Sequence, residues 1–518
     1  MNARAGLLCV SLLASLMACT SEPEPARPID VGPRDTSAAD SLDLEDVALS
    51  DASGVDAATP DAGADVGEDD AGGDSGVSAV LRAFPGAEGF GRDATGGRGG
   101  AVYKVTNLND SGPGSFRDAV SAPGRTVLFE VAGYIDTLST IDVFPNTTIA
   151  GQTAFRSGGQ GITLRRAAAH PGGPLLTSGG NTIVRHIRFR PGSRVEGDCC
   201  GDAWLAYETS NLIFDHVSAS YSSDEMFDFT GTTNVTIQNS ILSEPLSEVS
   251  SPAAGGKTVM GANTDRISIY RTLIANSSQR NPLLTPPNGV STTHEYEYVN
   301  CYGFNLGSFG LTTGGNDSGA PIHMNIVGNY WHDAVGTSRR WVQLFGETNS
   351  LYFLSDDNFD SRYRTSAGGD VWDDITAITD DYESNFSRPQ STDYQATTAH
   401  ALPLADGTAL IDGSEIWSTL GGEFGASLFR DAADLRVVAQ INGNDAPDWS
   451  IGPLDESDFG TAYSPIAAMS DVASDGDGDG IPDAFEMSLG SDADSADQNE
   501  DEDGDGYTNL EEYLNSLM

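Results

Sequence analysis

N-T-I-V-R-H-I-R-F at residues 181–189, N-L-I-F-D-H-V-S at 211–218, N-V-T-I-Q-N-S at 234–240 and R-I-S-I-Y-R-T at 266–272 are one phrase repeated. A polar residue opens a short run in which apolar and β-branched residues alternate. Further copies are N-T-T-I-A-G at 146–151, H-E-Y-E-Y-V-N at 294–300, H-M-N-I-V-G-N at 323–329 and N-S-L-Y-F-L-S at 349–355. Alternation with a period of two marks a strand whose two faces differ. A strand that recurs roughly every 20 to 35 residues, amid abundant Gly and Asn, predicts a solenoid in which each coil buries its inward face only against its neighbours. An antiparallel sandwich would join consecutive strands by tight hairpins, and Asn-Gly hairpin signals between these strands are scarce. The expected fold is therefore all-β, a parallel β-helix.

Working outward, residues 1–19 hold Arg4, an apolar run from Leu7 to Leu16 and the tetrapeptide L-M-A-C ending at Cys19. This resembles a bacterial lipoprotein signal that is cleaved before a lipidated Cys19, and the run is too short to span a bilayer. Residues 20–78 are Asp, Ala, Pro, Ser and Gly, a composition that cannot offset the entropy of ordering; a disordered acidic linker is expected. The protein is expected to be exported, either lipid-anchored to the outer membrane or cell surface or secreted. It would touch a membrane only through its lipid anchor, and a monomer is expected. The net charge of −49, from 27 Lys and Arg against 76 Asp and Glu, is concentrated in the linker and the last stretch of chain. It excludes a nucleic-acid partner, which needs clustered basic residues. Of the five Cys, Cys9 leaves with the signal and Cys19 is acylated, so Cys199, Cys200 and Cys301 allow one disulfide or none, and their spacing matches no zinc site.

Neighbouring coils of such a solenoid lie about 4.8 Å apart, so residues at equivalent positions form a column. Asp202 precedes the 211–218 strand and Asp224 and Asp228 follow it. Lys257 precedes the 266–272 strand and Arg280 follows that. Three carboxylates beside two cations suit a calcium ion next to a cationic base. Their contexts, G-D-A-W, S-S-D-E-M-F-D, G-G-K-T-V-M-G and Q-R-N-P, resemble the pectate lyases of polysaccharide lyase family 1. So do A-F-P-G-A-E-G-F-G at 83–91, V-T-N-L-N-D-S-G-P-G-S-F-R-D-A-V at 105–120 and F-E-V-A-G-Y-I at 129–135; the likeness runs from Ala83 to Asp360 and more weakly to Arg430.

The resemblance implies a right-handed, pectin lyase-like β-helix over residues 79–465. It implies a catalytic calcium held by Asp202, Asp224 and Asp228, with Lys257 and Arg280 binding substrate and Arg280 as the proton acceptor. The implied substrate is pectate (polygalacturonate) or a related uronate polymer, cleaved by β-elimination to unsaturated oligogalacturonides. I-F-D-H at 213–216 resembles the family's W-I-D-H segment, which makes His216 structural. The chain departs from the family at Thr285, where the second arginine of an R-x-P-x-x-R segment would stand; that puts substrate affinity and the identity of the uronate in question. The alternative is a non-catalytic surface β-helix that binds acidic polysaccharide. Inverting hydrolysis on this fold would need a carboxylate pair with a G-H-G segment, and the chain has no G-H-G.

Residues 471–518 form a second, acidic unit. Asp475, Asp477, Asp479, Asp483 and Glu486 fit a twelve-residue calcium loop, and Asp501, Asp503, Asp505 and Glu512 fit it again, with Gly480 and Gly506 at the sharp turn. Phe485, Met487, Tyr507, Leu510, Tyr513 and Leu514 offer apolar faces for short flanking helices. The unit is EF-hand-like and resembles thrombospondin type 3-like or dockerin-like repeats, with Ca2+ expected to stiffen it.

Overall fold

A polar residue opens most of the repeated strands because the backbone there turns left-handed; His294 and His323 open theirs without it. Asn146, Asn181, Asn211 and Asn234 have φ of 57°, 45°, 61° and 57°, and Arg266 follows them in the same register at 59°. Asn bears this conformation better than most residues. It also allows a ladder: Asn181 Nδ2 donates to Asn146 Oδ1 at 2.7 Å and Asn234 Nδ2 to Asn211 Oδ1 at 3.0 Å.

In this computed structural model residues 81–192, 201–246, 256–307, 310–314, 320–332, 341–345, 349–361, 365–366, 371–372, 376–379, 394–401, 410–443 and 466–518 are described. The leader with Cys19, the acidic linker, and Cys199 with Cys200 lie outside them. The folded unit runs from Val80 to Met518. Among the described residues three all-parallel sheets of ten, nine and nine strands stack into a right-handed parallel β-helix. Each coil gives one strand to each sheet. Phe227–Thr230, Thr233–Gln238 and Ile241–Ser243 make one coil, and Val259–Ala262, Asp265–Tyr270 and Leu273–Ser277 make the next. Inward residues fill the axis: Trp204, Phe214, Phe227 and Phe229 are fully buried and meet edge-on, tilted or stacked at ring separations of 4.8–6.0 Å.

The outer face of the ten-stranded sheet is partly apolar and is covered, with Thr236, Gln238 and Ser268 bonding the backbone that crosses it. An N-terminal strap seats Ala83, Phe84, Ala87 and Ala94 on Ile183 and Ile213. The C-terminal acidic unit seats Ile481, Leu510, Tyr513 and Leu514 on Leu128 and Ala150, so it is packed on the solenoid. Arg98 pairs with Glu511 at 2.8 Å and Lys104 with Asp475 at the rim of this contact. Met487, expected on the apolar face, is 72% exposed. The helix Asp483–Leu489 is two turns long, and Phe485 and Glu486 point inward, which leaves Met487 toward solvent. On the third sheet the helix Ala432–Gly443 buries Val437 and Ile441 against Ile241, Leu273 and Phe304. Buried Arg190 anchors it through Asp431 at 3.0 Å and Asp434 at 2.8 Å. Cys301 is a buried free thiol. Among the described residues no helix is long and apolar enough to cross a membrane.

Candidate active site

The site lies on the nine-stranded sheet that carries Trp204–Tyr207, Phe227–Thr230, Val259–Ala262 and Leu283–Leu284 side by side. Its residues cluster at the turns that enter these strands. Backbone bonds tie the turns in sequence: Ala203 N donates to Glu225 O, Met226 N to Thr258 O and Val259 N to Arg280 O, at 3.2, 2.9 and 2.9 Å. Four successive coils thereby bring Asp202, then Asp224 and Glu225, then Lys257, then Arg280 into one column.

Carboxylate oxygens of Asp202, Asp224 and Glu225 all lie within 4.8 Å of one another, and all three residues are buried. Glu225 N donates to Asp202 Oδ1 at 3.0 Å, which locks the two turns together. Lys257 Nζ donates to Asp224 Oδ1 at 2.6 Å, and Arg280 Nη1 forms an ion pair with Glu225 Oε1. Arg280 has φ of 54°, an uncommon conformation for a residue with a long side chain and a cost that functional sites often carry. Asp228 stands apart from the trio. It lies on the strand between inward Phe227 and Phe229, so it faces the groove, and Thr230 Oγ1 donates to it at 2.8 Å.

Burial, then the charges of Asp224 and Asp228, push the Asp202 carboxyl well above the usual range. Burial likewise raises Asp228 to about 6 against the Thr230 hydrogen bond, with the charge of Asp224 adding to the rise. Lys257 and Arg280 pair with Asp224 and Glu225, yet the carboxyls of Asp202 and Asp228 stay raised, and the donors are all hard oxygens, so the residues fit calcium.

Two members of the site were not expected from sequence. Glu225 is the neighbour of Asp224 in S-S-D-E-M-F-D, and that acidic doublet was its signal. Arg166 had none: it lies behind Gly201, where an added Cβ would meet Arg166 Nη2 at 2.8 Å, and its charge draws the Asp202 carboxyl down. Thr285, in place of a second arginine, is buried and its hydroxyl donates to Gly261 O at 3.2 Å, so it does not reach the groove. His216 stacks on His186 at 4.8 Å and sits 2.9 Å from Asp215, in a column of turn residues away from the site.

In the C-terminal unit both loops have the same internal bonding. Gly478 and Gly480 donate backbone N–H groups to Asp475 at 2.8 and 3.0 Å, and Gly504 and Gly506 donate to Asp501 at 2.8 and 2.9 Å. Asp475, Asp477 and Asp479 converge, as do Asp501, Asp503 and Asp505. Asp479 also converges with Glu486 and Asp497, a residue the loop pattern does not contain. Both carboxylate oxygens of Glu486 are buried without a hydrogen-bond partner, and burial with the surrounding aspartates raises its carboxyl to about 7; a hard cation suits this pocket. Asp483 is engaged otherwise, accepting from Ser474 Oγ and Gly476 N, each at 2.6 Å. Burial and the charges of Asp505 and Asp503 raise Glu512.

No family model matches the chain. A protein named Probable pectate lyase C from Aspergillus oryzae is 36% identical over 85% of this chain and 95% of its own length. The protein of the same name from Aspergillus terreus is 35% identical over 85% and 95%. A solved thermostable pectate lyase superimposes with a TM-score of 0.45 at 11% identity, over 68% of this chain and 99% of that one, a likeness too slight to bear on function. Identity of this size across almost the whole length of the fungal relatives decides the matter: the chain belongs to the pectate lyase family and is a polysaccharide lyase.

Proposed function

We propose that the protein is a calcium-dependent pectate lyase that cleaves (1→4)-α-D-galacturonan by β-elimination, releasing unsaturated oligogalacturonides. The observation that carries this reading is the column of Asp202, Asp224, Glu225, Lys257 and Arg280 from four successive coils. The relatives' printed names supply the substrate.

Asp202, Asp224 and Glu225, with Asp228 adding its charge from the groove, would hold the calcium. Bound there, the ion supplies positive charge against the carboxylate of the uronate and against the charge that develops beside it. Lys257, one coil on, offers its ammonium to the same carboxylate or its neighbour and fixes the ring. Arg280 takes the proton α to the carboxylate. The C–H electron pair then becomes the new double bond, the bond to the glycosidic oxygen breaks with its electron pair staying on that oxygen, and the oxygen takes a proton from water as it leaves with the departing sugar. A guanidinium ordinarily keeps its proton; the ammonium of Lys257 and a divalent ion close by both favour its neutral form. The proton-accepting role of Arg280 rests on the family resemblance.

In the C-terminal unit calcium bound by Asp475, Asp477, Asp479, Glu486 and Asp497, and by Asp501, Asp503, Asp505 and Glu512, would stiffen a segment that covers Leu128 and Ala150. At the other end, residues 1–19 would be a lipoprotein signal, Cys19 the lipid anchor, and residues 20–78 a tether that spaces an exported, monomeric enzyme from its membrane. Withdrawal of Thr285 from the groove favours one other reading, a surface β-helix that holds uronate polymer without cleaving it.

One assay decides between them: ultraviolet absorbance of the unsaturated product from polygalacturonate, with calcium, with chelator and with Arg280→Ala. Absorbance that rises only with calcium and Arg280 present is expected. No rise at alkaline pH with calcium, from folded protein, leaves the binding reading.

A further inference from the structure

Each acid of the trio carries a different load. Asp224 is neutralised by Lys257 at 2.6 Å. Asp202 accepts the Glu225 backbone N–H. Glu225 faces two ways: its carboxylate is within 4.8 Å of those of both aspartates, and it is paired with Arg280. It is 2% exposed and its own backbone is tied to Asp202, so it cannot swing out to solvent to avoid the choice. Two cations that share one carboxylate repel each other and divide its charge, so the binding of either weakens the other.

We propose that Glu225 is a positioning residue shared between the calcium site and Arg280, so that calcium and the guanidinium compete for one carboxylate. Calcium entering beside Asp202 and Asp224 draws Glu225 to itself and releases Arg280 toward the substrate. Without calcium, Glu225 keeps Arg280 paired and held back from the substrate. The dependence on calcium is thereby built into the placement of the base as well as into the charge of the ion. This inference rests on the reading that Asp202 and Asp224 hold calcium.

Linkage makes the idea measurable without turnover, because a coupling between two partners of one group acts equally in both directions. Calcium binding to the full chain is measured by titration calorimetry for the unsubstituted protein, Arg280→Ala, Glu225→Gln and the double variant. The heat that survives in Asp202→Asn is subtracted to remove the C-terminal loops. Removing the competitor by Arg280→Ala is expected to tighten calcium about tenfold when Glu225 is present, and by less than about twofold in the Glu225→Gln background. Glu225→Asp, which keeps the charge and shortens the reach, is expected to fall between, and serves if the Gln variant does not fold. Equal tightening in both backgrounds would mean that Arg280 acts on calcium only through its field, and would overturn the proposal. So would no tightening in either. If the unsubstituted protein binds no more calcium than Asp202→Asn, the calcium reading of the site falls, an outcome distinct from the loss of coupling.

Discussion

Asp228→Asn separates stability from function in a way that the geometry makes quantitative. Asp228 is held in the fold with its carboxyl raised from 3.8 to about 6, first by burial and then by Asp224. A carboxyl raised in the folded state binds more protons folded than unfolded between those two values, so stability falls as pH rises through that window. A shift of about 2 units corresponds to a destabilisation of about 3 kcal/mol, or about 2 kcal/mol after allowance for the part of the side chain open to the groove, complete by pH 7 and absent below about pH 4. Asparagine removes the charge and keeps the oxygen that accepts from Thr230. In chelator at pH 7.5 the variant is therefore more stable than the parent by about 2–3 kcal/mol. The folded unit has about 440 residues, and unfolding entropy of about 2 cal/mol/K per residue makes this a rise in Tm of about 2–3 °C. In calcium the gain shrinks by about 1.4 kcal/mol for each tenfold loss of calcium affinity, because the ion compensates the same charge. Differential scanning fluorimetry at pH 4.5 and 7.5, with calcium and with chelator, reads all four numbers. A lower Tm for the variant in chelator at pH 7.5, or an equal gain at pH 4.5, would refute the argument, since packing and not charge would then govern the residue.

Arg280→Ala is expected to lower kcat/KM on polygalacturonate about 10³-fold with little change in Tm when calcium is present, and Lys257→Ala to raise KM more than it lowers kcat; steady-state kinetics distinguishes a proton acceptor from a substrate anchor. Glu486, raised to about 7, holds extra protons in the chelated fold between the unfolded value of 4.5 and that point. Chelated stability therefore declines as pH rises through this window, calcium must displace those protons, and the Tm gap between calcium and chelator should widen from pH 5 to pH 8; a constant gap in fluorimetry would count against Glu486 as a ligand. Asp434→Ala removes from fully buried Arg190 the carboxylate at 2.8 Å and strips Ser218 of its acceptor at 2.7 Å, so it should cost about 3 kcal/mol, read from the urea midpoint.

The solenoid was legible because its signal is local and repeated. A polar residue that accepts positive φ, followed by alternating residues, states the turn and the strand together, and Asn181, Asn211 and Asn234 obey it in the structure. Asp202, Asp224, Lys257 and Arg280 were legible as a column once coils were known to stack at a fixed spacing. Asp228 could be assigned to the calcium pair by pattern, and the pattern could not say that it sits on the strand beyond the trio while Glu225 sits inside. That distinction depends on which residue of S-S-D-E-M-F-D lies in the turn and which in the pleat, and Phe227 and Phe229 decide it by filling the core.

The amino-acid sequence by itself determined the repeat, the two acidic loops with their twelve-residue spacing and the identities of the acids and cations, because each is written in residues a few positions apart. Only the tertiary structure decided the pairing of Glu225 with Arg280 across coils, the withdrawal of Thr285 into a bond with Gly261, and the packing of the C-terminal unit on Leu128 and Ala150. Those depend on register and on contacts between segments up to hundreds of residues apart, which a linear pattern does not contain and which burial of the shared apolar surface selects.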